Sequence, residues 1–158
     1  MRSHIARHDG PVFTGEFTAR RDRNSEVDVA TSVLWRFFDA MRDWEASAAV
    51  AFGGSDEDDE RAISALPAIL NRYTAADGFG RERELTLQHG EPPEYDRERW
   101  TIVESEHEED ANRVSLIVID SQPQLSERFK FMLEQTQGDW KILSRSILKR
   151  GRDEPWPL

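Results

Sequence analysis

The apolar residues of this chain change their repeat once. Between Val27 and Ala76 they recur three or four residues apart, and between Glu84 and Leu148 they alternate. One helical stretch followed by consecutive alternating segments confines the chain to an α+β fold. Its N-terminal helices would pack on a curved, mostly antiparallel sheet. The sharpest alternation is "FKFMLEQTQGDWKILSRSIL", residues 129–148. Phe129, Phe131 and Leu133 share one face of its first arm, and Trp140 and Ile142 share one face of the return. Gln137 and Gly138 lie between them, and glycine accepts the positive φ of a tight hairpin turn. Leu143 and Ile147 fall on the opposite parity, which predicts a strand covered on both sides or one that carries a bulge.

Upstream, "SEVDVATSVLWRFFDAMRDWEASAAVAF" puts Val27, Ala30, Val33, Leu34, Phe37, Phe38, Met41, Ala48 and Phe52 on one helical stripe. Ser25 and Asp28 have capping-box spacing and predict the helix start; Gly53 and Gly54 predict its end. Ser55 can cap a second helix whose first turns are Asp56, Glu57, Asp58, Asp59 and Glu60, acids placed where a helix N-terminus favours them. Pro67 predicts a break there and a third helix, "PAILNRYTAA", because proline is tolerated at a first helical position. The expected strands are "ELTLQ", "RWTIVESE", "RVSLIVID" and the two arms of the hairpin. Residues 1–24 lack a sustained period and are expected to form a mobile tail. Residues 25–150 make the domain, and 151–158, with two prolines, a C-terminal surface tail.

A chain of 158 residues is long enough for one self-sufficient core. It has no cysteine, so disulfides, thiolate metal sites and cysteine nucleophiles are excluded. A cytoplasmic location fits that, as does an opening "MRSHIARHDG" without the apolar run of a signal peptide. No stretch is apolar enough to span a membrane. The charge is uneven. Residues 1–24 hold five Arg and three acids; residues 25–158 hold 16 basic and 28 acidic residues, a net of −12. Such a body repels phosphate backbones and attracts basic proteins, so a protein partner is expected and a nucleic acid is not.

Catalytic candidates are few. Carbon-acid chemistry needs a base and a donor aimed at the developing oxyanion, and the best dyad available is Asp39 with Tyr73. The histidines, His4, His8, His89 and His107, all fall in the tail or in expected loops. His4 and His8 have helical ligand spacing but no third ligand, and "DEDDE" lacks the alternating oxygens and central glycine of a calcium loop. Neither a catalytic set, nor a metal, nor a cofactor is predicted. What remains is acidic: Asp56 to Glu60, and Glu104, Glu106, Glu108, Glu109 and Asp110. Together they are expected to form a negative surface for a basic partner. Tyr95, in the loop "GEPPEYD", is the expected anchor among them.

The order of elements, and above all the ending "FKFMLEQTQGDWKIL", resembles the nuclear transport factor 2-like fold over residues 25–150. In that fold a curved sheet wraps helices into a cone. With "GEPPEYD" ahead of Trp100 and the ending "RFKFMLEQTQGDWKILS", the chain is similar to the immunity proteins of bacterial polymorphic toxin systems that use this fold. The resemblance implies a cytoplasmic, non-enzymatic protein that binds and neutralises one cognate toxin, often a nuclease. Two other readings stand beside it. One is a small-molecule-binding or isomerase/lyase-like enzyme using the pocket of the cone; the other is a homodimer formed through the open face of the sheet.

Overall fold

The structure is a computed structural model, and it describes residues 15–51, 54–75, 89–90, 92–108, 111–121, 127–149 and 152–156. Two helices, α1 (Gly15–Ala51) and α2 (Asp56–Tyr73), precede a single 3-10 turn at Arg97–Arg99. Five strands follow: β1 (Trp100–Glu108), β2 (Arg113–Asp120), β3 (Arg128–Thr136), β4 (Asp139–Lys149) and β5 (Arg152–Trp156). Each strand pairs antiparallel with the next, giving one sheet in the order β1-β2-β3-β4-β5. The expected strand "ELTLQ" lies outside the described residues.

Helix α1 runs through the expected capping box at Ser25 and Asp28 and begins ten residues earlier, inside the stretch assigned to a tail. No glycine or proline interrupts residues 16–24, and Ala and Arg there are good helix formers, so propensity outweighs an available cap. Helix α2 starts as expected. The Ser55 Oγ accepts from the Asp58 N–H at 3.3 Å, and Asp56 to Asp59 fill the first turn. Pro67 does not break it. The proline sits mid-helix, where it removes one donor, yet Ala62, Leu66 and Leu70 are buried on both sides of it and hold the helix to its neighbours. The two helices run antiparallel and are pinned where the Trp44 Nε1 donates to the Ala62 carbonyl at 2.9 Å.

The hairpin between β3 and β4 closes with Gln137 at φ 55° and Gly138 at φ 88°, both in the left-handed region that a two-residue type I′ turn demands. The parity change in β4 is a bulge. Met132 faces Ser144 and Leu133 faces Ile142, so Leu143 is the extra residue, and Trp140, Ile142, Arg145 and Ile147 are all buried. A second bulge in β1 falls between Ile102 and Glu104. The stretch assigned to a C-terminal tail holds β5, which pairs Trp156 with Arg145 and Arg152 with Lys149. Its exposed, mostly charged residues carry no apolar alternation by which sequence could have marked a strand.

Both helices cover one face of this sheet. Leu34, Phe37, Phe38 and Met41 from α1 and Leu66 and Leu70 from α2 meet Val114, Leu116, Val118, Phe129, Phe131, Leu133 and Ile142. Phe38 is the hub of an edge-to-face aromatic set, 5.1 Å from Tyr95, 5.6 Å from Phe131 and 5.9 Å from Trp100. The C-terminus of α2 is tied to β4, where the Lys141 Nζ donates to the Arg72 carbonyl and Thr74 forms a parallel bridge to Ile142.

Trp140→Ala is expected to cost about 3–5 kcal/mol, the usual range for deleting a buried large aromatic, because its ring is buried in the closing hairpin. A thermal or urea melt measures it. An unchanged midpoint would detach the hairpin from the core.

Candidate functional site

Inside the cone, three elements bring charge together. Glu45, on the buried side of α1, accepts from the Tyr95 N–H at 3.2 Å and the Gly90 N–H at 3.4 Å. Arg145, on the helix-facing side of β4, is 2% exposed, and its guanidinium lies 4.2 Å from the centre of the Phe129 ring. Its Nη1 donates to the Glu94 Oε1 at 2.8 Å and to the Tyr95 hydroxyl at 3.2 Å. The loop before β1 is fixed further where the Trp100 Nε1 donates to the Glu94 carbonyl and where Arg99 pairs with Asp120 at 2.6 Å. Sequence reasoning missed both buried charges. The available signal was parity: Glu45 stands four residues after Met41 and three before Ala48, on the apolar stripe itself.

This network corrects the role expected of Tyr95. The residue is 1% exposed, its ring packs edge-on against Phe37 and Phe38, and it has no surface to offer a partner. Two prolines mark the segment as a loop. They do not reveal that Glu45 and Arg145 draw its tyrosine inward.

The expected dyad of Asp39 and Tyr73 does not assemble. Asp39 faces solvent and pairs with Arg42 at 3.7 Å, while the Tyr73 ring packs on Phe37 at 6.0 Å. A cleft of about 350 Å³ beside Tyr73 is lined by Arg36, Arg72 and Lys141 and excludes Asp39. His107 lies 2.9 Å from the Glu26 carboxylate, joining β1 to α1. Among the described residues, no group of three His, Cys, Asp or Glu could hold one metal ion, and no helix is long and apolar enough to cross a membrane.

The two acidic clusters fall at different levels along α1, one just past its C-terminus and one beside Glu26 in its N-terminal half. Asp56, Glu57 and Glu60 are exposed at the start of α2, just past the α1 C-terminus, with Asp58 and Asp59 half-buried beside them. Asp58 receives Ser55 and Arg61. Glu106 and Glu108 are exposed at the far end of β1, next to the His107 contact with Glu26. Glu104 pairs with Arg128, and Glu109 and Asp110 lie outside the described residues. At 1.5 Å per residue, the distance along α1 from Glu26 to Ala51 is roughly 38 Å. The described members of the two clusters thus stand at separate levels along α1, with the exposed Asp28 and Asp43 on the helix between them.

Between the helices runs a trough of about 750 Å³. Trp44, Ala62 and Ile69 line it, with Ala46 on one helix and Ala65 on the other, and the exposed Val50 also lines it. Asp43 is on one wall and Asp58 on the other. Arg42 is bonded to Asp43 at 2.9 Å, and that hydrogen bond and charge raise the Arg42 guanidinium above its ordinary pKa.

Residues 29–156 match the sequence model of one family, described as NTF2 fold immunity protein, and two helices on a five-stranded antiparallel sheet are consistent with that fold. No curated protein and no solved structure matches the chain.

Arg145→Ala is expected to destabilise the fold by about 3–5 kcal/mol, since it leaves Glu94 and the Tyr95 hydroxyl without their buried cation. Arg145→Lys is expected to recover only part, because an ammonium lacks the planar fork. Urea denaturation of the two variants measures both.

Proposed function

The chain belongs to the NTF2 fold immunity protein family, so its role is toxin neutralisation, and we propose that it binds a basic toxin in the cytoplasm as a non-enzymatic inhibitor. The observation that carries this reading is charge. Residues 25–158 have a net of −12, and the exposed carboxylates of Asp56, Glu57 and Glu60 just past the α1 C-terminus and of Glu106 and Glu108 beside its N-terminal half face solvent. A toxin that cleaves nucleic acid presents a basic surface to phosphates, and an acidic protein can occupy that surface in their place. The interior supports binding over catalysis, because aromatic rings and the Arg145 network occupy the space under the sheet where a cone-shaped pocket would lie.

The separation of the clusters divides their work. A compact interface of ordinary size, about 800 Å² on each partner, is about 32 Å across, short of the roughly 38 Å along α1 between Glu26 and Ala51. One cluster contacts the toxin and the other adds to the field that steers it. Screening limits that field to about 8 Å at physiological ionic strength.

The test is binding kinetics and growth protection against the cognate toxin. Replacing Asp56, Glu57 and Glu60 with Lys is expected to slow association by about tenfold, and replacing Glu106 and Glu108 with Lys by less, with added salt reproducing both effects. A five-site reversal that protects cells as the wild type does would reduce the acidic surface to a solvated one.

A further inference from the structure

We propose that the trough between α1 and α2 is the socket in which the toxin anchors, taking an apolar side chain that the toxin carries between lysines or arginines. The inference rests on the preceding reading and adds to it a place and a chemical class of contact. Exposed carboxylates alone give little affinity, because each pair is solvated and screened. Tight interfaces instead seat an apolar or aromatic anchor in a pocket and ring it with polar groups. Tyr95 cannot be that anchor, since its ring is inside the core.

The trough has the required floor. Where helices cross, larger side chains ordinarily interlock and close the space between them. Here Ala46 on α1 and Ala65 on α2 leave it open above Trp44, Ala62 and Ile69. Val50, which also lines it, is 83% exposed, the most exposed large apolar side chain among the described residues. An apolar floor of this kind suits a helix or turn laid into a groove.

The rim decides the occupant. Asp43, 71% exposed and bonded to Arg42 at 2.9 Å, and Asp58 stand on opposite walls, and the negative excess comes from the exposed Asp56, Glu57 and Glu60 carboxylates around the start of α2. Arg61, the one cation among the described lining residues, is paired with Asp58 at 3.2 Å. An acidic segment would meet the Asp56, Glu57 and Glu60 carboxylates, and a second copy of this chain would bring its own net charge of −10 against them. A small apolar ligand would leave much of its surface in water, since the trough is open to solvent along its length. A segment with an apolar residue between cations satisfies floor and rim together.

The test uses the full chain and the cognate toxin. Ala65→Trp and Ala46→Trp fill the trough from exposed positions on each helix, and Ser146→Trp, half-buried on the opposite face of the sheet, is the control. Each trough variant is expected to weaken Kd by about tenfold or more, mainly through faster dissociation, with melting temperature and control unchanged. Folded trough variants that bind as the wild type does overturn the inference and leave the functional reading intact. A wild type that does not bind overturns both. If a tryptophan variant fails to fold, Val50→Ser decides: a weakened Kd supports the socket, and an unchanged one overturns it. The neutral dye N-phenyl-1-naphthylamine, bound by the wild type, excluded by Ala65→Trp and not displaced by toxin, would reassign the trough to a small ligand.

Discussion

A guanidinium stays charged at any ordinary pH, and in this protein one sits in the core. Arg145 faces the helices from β4, among the rings of Phe129, Phe131 and Tyr95. Aromatic faces offset part of its lost hydration, but the donors still need acceptors. Glu94 and the Tyr95 hydroxyl supply them, and both come from the loop ahead of β1. Drawing that loop inward brings its amides onto Glu45, so one buried cation ends by fixing a segment from which two prolines exclude regular structure. The space between helices and sheet around Arg145 is thereby occupied by the loop's own side chains.

Legibility in the sequence followed the physical origin of each feature. Strands β1 to β4 and the closing hairpin are readable because alternation and a positive-φ turn are local properties, recorded in Phe129 to Ile142 and in Gly138, whereas the charged β5 has no such record. The bulge at Leu143 was half readable: the parity change shows that something happens, and only the register shows what. Pro67 misled because a local rule met a non-local hold, the burial of Leu66 and Leu70 on either side of it. Tyr95 misled for the converse reason, since its partners lie 50 residues away on either side, at Glu45 and Arg145. The trough was not legible at all. Alanines at positions 46 and 65 read as good helix formers, and only the facing of two helices turns them into a gap.

The charge distribution follows the same division between local and global causes. Asp56 to Asp59 have a local reason to be acidic, because they complement the dipole at the start of α2. Exposed Glu106 and Glu108 on β1 have no helix terminus to serve. Much of the sheet's remaining surface charge is matched across strands instead, as in Arg113 with Glu134 and Lys130 with Asp153. Asp28, Asp43 and Asp139 add exposed carboxylates away from both clusters.

Strand β5 bears on a different hazard. A sheet of five antiparallel strands exposes backbone donors and acceptors at its margins, and another chain can add a strand there. Here the marginal strand is five residues long, and Arg152, Asp153 and Glu154 give it charges that oppose stacking of like copies. Pro155 follows them and offers no N–H to a newcomer. At this margin of the described sheet, a short, charged strand with a proline near its end is a poor template for another copy, and strand addition there is disfavoured.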